Sequence, residues 1–280
     1  MDGITDAPMR AFLGSIGRFS YAVSEFVRVS GEPLSAAAAC RAGATAIDIN
    51  FGCPAPTVNR HDGGATLLKH PPRIRELVAA VRTAVPGTVP VSAKLRLGWD
   101  SIDAIDENAA MAAEGGASWI TIHARTRTQA YLPPVYWRPI GRVREALGIP
   151  VVANGDIWTL DDFRRCEDET GCRHFMIGRS ALASPGLSGE IAEALGIGHR
   201  TPPLSFPVIM KRFVDAAPYD GPRADMRTLA KLKQWLKLAE RHGDFRGFDA
   251  VKRSDSVAEL LERLDESEPW PQAAATLLTP

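Results

Sequence analysis

The sequence holds no apolar run of the length a bilayer crossing needs. Nothing like a secretory leader follows Met1: Asp2 comes next, without a basic or an apolar stretch. These absences set the expectation of a cytoplasmic protein with no membrane partner. Cysteine is scarce. Cys40, Cys53, Cys166 and Cys172 contain no C-x-x-C pair, and their spacings match no zinc template, so no metal is expected. Disulfides are not expected in a chain of this size and compartment. No G-x-G-x-x-G follows any apolar run, so the fingerprint of a dinucleotide-binding sheet is missing. Net charge is missing too: 33 Lys+Arg balance 33 Asp+Glu. What remains is a globular composition, 45% hydrophobic and 24% charged over 280 residues. That suffices for one large domain with an appendage, or for two domains.

Short β-rich runs alternate with helical stretches. Strands are expected at Tyr21–Glu25, Ala46–Phe51, Val91–Leu97, Trp119–His123, Val151–Asn154 and His174–Ile177. Apolar spacing predicts helices at Pro72–Val85, Ile102–Gly115, Arg142–Leu147, Leu160–Glu169 and Leu187–Leu195. This alternation implies a parallel sheet wrapped by helices. Runs such as AIDIN and FMIG fit strands buried on both faces. The pattern ends near residue 196. Gly196–Pro207 reads as a linker, and the chain beyond it reads as helical. In MRTLAKLKQWLKLAERH, Leu229, Leu232, Leu236 and Ala239 share one face. The expected organisation is a β/α catalytic domain over 1–196 and a small helical domain over 197–280. Between Arg223 and Arg253, nine Lys/Arg stand against four Asp/Glu. Such a stripe suits phosphates; on charge alone it reads equally as a solvated helix face.

For the first domain, an open doubly wound sheet competes with a closed (β/α)8 barrel. Barrel chemistry sits at the C-terminal ends of the strands. Those ends carry Glu25, Asn50 and Cys53, Lys94 and Arg96, His123 and Arg125, Asn154 and Asp156, then Gly178 and Arg179. One or two such residues are ordinary; a polar group at every strand end points to a working rim. The last two ends, with Gly155 and Gly178 letting backbone approach closely and Arg179 adding charge, suit a phosphate. Lys94 and His123 suit a flat heterocycle, so flavin mononucleotide fits the layout. Cys53 is held between Gly52 and Pro54 in a sharp turn, which favours a reactive thiol over a small core residue. His61 and Asp62 follow it, and Gly63 and Gly64 suggest a loop that moves or approaches a ligand.

The chain resembles the bacterial tRNA-dihydrouridine synthases. The resemblance runs through MDGITDAPMR, SEFVRV, INFGCPAPTVNRHDGGATLL, VSAKLRLGWD, ITIHARTRTQAY, VVANGDIW, HFMIGRSAL and KLKQWL. LRLGWD and KLKQWL are most similar to the subfamily acting on tRNA position 16. The resemblance implies a TIM-type barrel followed by a helical domain, working as a monomer. It implies FMN as cofactor, NADPH or NADH as reductant, and reduction of a D-loop uridine in tRNA to 5,6-dihydrouridine. Hydride goes to C6 of the uracil, and Cys53 gives the proton to C5. Met1, Lys94, His123, Asn154, Gly155, Asp156, Gly178 and Arg179 match flavin-contacting positions. Asn50 matches the position touching the target base. Arg28, Arg96, Lys233, Trp235 and Lys252 match positions that hold the tRNA.

The chain departs from the family pattern in two places. Met1 stands where the family has the methionine ending its first strand. SEFVRVSGEPL runs directly into SAAAACRAGATAIDIN, where the family has a few dozen more residues with a further strand. The expectation is therefore a barrel lacking its first and third strands. Two other functions stay open on the residues alone: another FMN barrel oxidoreductase acting on a small pyrimidine, and a catalytically inactive tRNA-binding relic.

Overall fold

The structure is a computed structural model, and it describes residues 5–26, 36–198 and 204–267. The chain divides into two compact units. A sheet unit takes 26–157 and 161–177; a helical unit takes 1–25, 158–160 and 178–280. The cut falls at Gly178, ahead of the linker stretch around 196. The segments 179–183 and 187–194 thus group with the helices.

In the sheet unit five parallel strands pair in sequence order. They are β1 (Ile47–Asn50), β2 (Val91–Arg96), β3 (Trp119–His123), β4 (Val151–Asn154) and β5 (His174–Met176). Val, Ile and Thr are concentrated in β1, β3 and β4, as suits a pleated surface between layers. Registry is set by the two-residue period. Ile47, Ile49, Val91, Ala93, Leu95, Ile120, Ile122, Val151, Ala153 and Phe175 alternate with residues of the opposite face and pair with one another. Helix Pro71–Ala84 buries Ile74 and Val78, and helix Ile105–Glu114 buries Ile105, Ala109 and Ala112. The opposite face is polar: Asp48, Asn50, Ser92, Lys94, Arg96, Thr121, His123 and Asn154 share it by register. AIDIN was expected to be a strand buried on both faces; β1 is half-buried throughout, while Ser92, Thr121 and Arg96 on this side of its neighbours are buried. The alternation shows instead a sheet with one apolar and one polar side.

Tyr21–Glu25 corrects the strand count. It pairs with no strand among the described residues, and Tyr21 and Val23 are exposed. Its Glu25 carboxylate is ion-paired with Arg10. The sheet therefore has five strands among the described residues, where six were expected.

The helical unit is built on a buried cluster. Met9 and Phe12 of helix Ala7–Ile16 join Leu182, Met210, Phe213, Leu232, Trp235, Leu236 and Ala239. Phe12 and Phe213 meet edge to face at 5.2 Å, and Phe213 meets Trp235 at 5.8 Å. Each large side chain so buried contributes about 1.5–3 kcal/mol. Asp6 starts the first helix by accepting the Met9 amide at 3.0 Å, and the Tyr219 hydroxyl donates to its other oxygen at 2.6 Å. The helix Ala224–His242 buries Leu232, Leu236 and Ala239 and half-buries Leu229, the face its spacing predicts. No helix among the described residues is long and apolar enough to cross a membrane.

Candidate active site at the strand ends

Parallel registry alone gathers the predicted rim residues of the sheet unit. Asn50 pairs with Lys94, Arg96 with His123, and His123 with Asn154. The Lys94 ammonium reaches past β3 and donates to Asn154 Oδ1 at 3.1 Å. Asn154 in turn donates to the Met176 carbonyl at 2.7 Å. Polar side chains thus tie β2, β4 and β5 together across the rim. Below Lys94 on the same face, Ser92 Oγ donates to Asp48 Oδ1 at 2.6 Å. Burial lowers the Lys94 pKa from 10.5 to about 8 against the pull of Asp48. Burial likewise raises Asp48, despite the Ser92 bond. Asp48 and Ser92 were not singled out from the sequence. Their signal was the period of two: Asp48 precedes Asn50 by two residues, and Ser92 precedes Lys94 by two.

Cys53 follows β1 in a turn that Asn50 shapes, since Asn50 Oδ1 accepts the Gly52 amide at 3.0 Å. The Cys53 carbonyl accepts two hydrogen bonds, from the Ala65 amide and from Asn59 Nδ2, each at 3.0 Å. Asn59 also donates to the Gly63 carbonyl at 3.0 Å, and its own Oδ1 accepts Arg127 Nε at 2.9 Å. Gly64 has φ +57, and a Cβ there would lie 2.9 Å from the Cys53 carbonyl oxygen. The glycines of this loop therefore let it close onto Cys53 itself; Gly64 was expected to serve motion or a ligand. Asp62 is paired with Arg73 on the surface.

Two buried guanidiniums hold the neighbouring loops. Arg96 is 2% exposed; its Nε donates to Gly52 O at 2.8 Å, and Nη1 donates to Thr126 O at 2.9 Å and Ala130 O at 2.8 Å. Expected to grip tRNA, Arg96 is a strap inside the protein. Arg125 is fully buried, donates to Leu132 O at 2.7 Å, and makes a two-pronged pair with Asp156. Asp156 was matched to a flavin contact; its carboxylate is committed to Arg125, and its φ of +47 turns the chain sharply after β4. Gly155 has φ +121, a Cβ there would stand 3.2 Å from Ala124 N, and its carbonyl accepts Trp137 Nε1 at 3.0 Å. Close approach to β3's end explains this glycine.

In the helical unit Gly178 precedes the five-residue helix Arg179–Ala183, and the Arg179 guanidinium lies 5.1 Å over the Trp158 ring, which stacks on His242. Trp235, also expected to hold tRNA, is 1% exposed and donates Nε1 to Leu182 O at 2.8 Å. It is a core residue of its unit. Lys233 is half-buried; Lys252 is exposed and paired with Asp249 at 2.6 Å. Cys166 and Cys172 are fully buried, and burial raises both thiols, as suits structural residues. Met1 and Arg28 lie outside the described residues.

The family profile described as dihydrouridine synthase matches residues 29–236. A tRNA-dihydrouridine(16) synthase from Aquipseudomonas alcaligenes is 38% identical, covering 86% of this chain and 89% of the relative. One from Pseudomonas syringae pv. tomato is also 38% identical, over 85% and 87% of the two chains. One from Shewanella oneidensis is 35% identical over 94% and 96%. The first alignment runs over 283 positions yet takes in 86% of these 280 residues. Over that span the relative therefore carries several dozen residues that this chain lacks.

Proposed function

The chain belongs to the dihydrouridine synthase family, and from that premise we propose that it reduces one uridine of the tRNA D-loop, at position 16, to 5,6-dihydrouridine. The observation that carries this is the row of Lys94, His123 and Asn154 across three neighbouring strand ends beside the fixed turn at Cys53. A donor set of this kind fits the heteroatom edge of a flavin. The Lys94 ammonium has three hydrogens, and its bond to Asn154 uses one. In this reading Lys94, His123 and Asn154 hold the ring of FMN. When bound, FMN reduced by NADPH or NADH supplies the hydride for C6 of the uracil.

The chain's own residues do the rest. Cys53 Sγ delivers the proton to C5, from a backbone pinned at its carbonyl by Ala65 and Asn59. Asn50, oriented by the Gly52 amide, presents its Nδ2 group to a uracil carbonyl. The target base must leave its stack, at about a few kcal/mol. Phosphate contacts from Lys233, Lys252 and the basic stripe around them offset that cost and make binding salt-sensitive. The reading assigns Arg96, Arg125 and Asp156 to the scaffold of the rim, and Trp235 to the core that carries Lys233.

Two measurements test it. A purified chain that takes up FMN shows a flavin band in its visible spectrum; a colourless chain that stays colourless with added FMN overturns the cofactor reading. Mapping dihydrouridine in tRNA from a strain lacking the gene is expected to show loss at position 16, and loss at another position would refute that assignment.

A further inference from the structure

We propose that Asp48 is the counter-ion of Lys94, a positioning residue that keeps the ammonium charged at the rim, with Ser92 holding its carboxylate. The catalytic consequence rests on the functional reading above; the geometry rests on the sheet alone. Asp48 pairs with Ser92, and Asn50 with Lys94, so Asp48 and Lys94 are diagonal neighbours on the polar face of two adjacent strands. Ser92 Oγ donates to Asp48 Oδ1 at 2.6 Å, which orients the carboxylate from the strand that carries Lys94. Lys94 is oriented from the other side by Asn154 Oδ1 at 3.1 Å.

The charges around Lys94 make an anion necessary. Within the sheet unit, the groups that share its face are Asp48 on β1, Arg96 on its own strand, His123 on β3 and the neutral Asn154 on β4. Arg96 repels the ammonium and burial disfavours it; Asp48 is the acid that opposes both. Without that acid a larger share of Lys94 is a neutral amine at physiological pH. The difference matters to any heteroaromatic ring lying against it, because an ammonium stabilises negative charge developing on the ring and an amine does not. A carboxylate beneath a lysine is otherwise a costly thing to place in a sheet interior, and this arrangement gives it a task.

The test is competitive labelling of the full chain with trace acetic anhydride across a pH series, with the acylation of Lys94 followed by mass spectrometry. It is run without FMN and repeated with FMN added. In Asp48→Asn the Lys94 midpoint is expected to fall by at least about one pH unit, so its labelling at neutral pH rises roughly fivefold or more. The exposed Lys69 and Lys237 serve as internal references and do not move. Asp48→Glu restores most of the wild-type midpoint. Ser92→Ala, which leaves Asp48 in place, shifts Lys94 the same way by less, and it decides the matter should Asp48→Asn not fold. A midpoint that is unmoved or raised in the variant that folds overturns the inference. An unmoved midpoint in a variant with a normal flavin band sinks the counter-ion and leaves the functional reading intact. A lowered midpoint in a chain that takes up no FMN keeps the counter-ion and sinks the cofactor.

Discussion

Cys53→Ala separates binding from chemistry at the level of a single atom. The proton-donor reading expects this variant to keep its flavin band and lose tRNA reduction by about 10²-fold or more, the scale of removing a positioned general acid. Unchanged turnover would end that reading. Asp156→Asn isolates a different contribution. Asparagine tolerates the positive φ of +47 that Asp156 adopts, so the variant removes charge and leaves the backbone unstrained. It removes the carboxylate charge and one acceptor oxygen from beside the fully buried Arg125 guanidinium, which keeps Leu132 O and the new side chain's amide oxygen as acceptors. The expected loss is about 2–4 kcal/mol in urea unfolding, toward the low side for a broken buried pair because Asp156 is 21% exposed. Cys53 was legible in the sequence because Gly52 and Pro54 force a turn where a strand ends. Arg96 and Trp235 were not. A guanidinium that binds three carbonyls inside the protein and one that grips phosphate are written with the same letter, and only burial tells them apart.

At the scale of elements, the five strands were readable as short apolar runs between helical stretches, and their parallel pairing followed from βα alternation. Tyr21–Glu25 was misread for a physical reason: a strand exists through its partner, and the apolar letters of that run face outward. The loop between Cys53 and Ala65 was legible as glycine-rich and not as a clasp, because its bonds depend on Asn59 folding back six residues. That clasp is testable through the thiol it positions. Asn59→Asp discards both Nδ2 bonds and keeps an acceptor for Arg127. Site-resolved alkylation with iodoacetamide is expected to show Cys53 reacting several-fold faster, while Arg127→Ala produces the smaller change. Equal rates in Asn59→Asp and wild type would mean that the Ala65 amide and Gly64 packing suffice. Gly64→Ala, which places a Cβ 2.9 Å from the Cys53 carbonyl oxygen at φ +57, is expected to cost roughly 1–3 kcal/mol.

For the whole molecule, the pH dependence of stability sets two buried populations against each other. Lys94 has its pKa lowered by burial from 10.5 to about 8. Below about 8 it is charged in both folded and unfolded chains, and its burial is a constant cost. Between about 8 and 10.5 the unfolded chain holds a proton that the folded one has released, so stability rises with pH. Cys166 and Cys172 act in the opposite sense. Burial raises their thiols above the ordinary 9.0, so the unfolded chain loses protons first, and the stability they contribute below that value drains away as pH climbs past it. Two thiols outweigh one amine, and the net expectation is a urea midpoint that falls above pH 9. Lys94→Met removes the rising contribution, together with the bond to Asn154 and the cation that faces Asp48. Relative to its own value at pH 7, its midpoint is expected to fall more steeply than that of wild type between about pH 8 and 10.5. Parallel curves for the two proteins would mean that Lys94 titrates as if exposed, and the polar face of the sheet would then be far better hydrated than its packing implies.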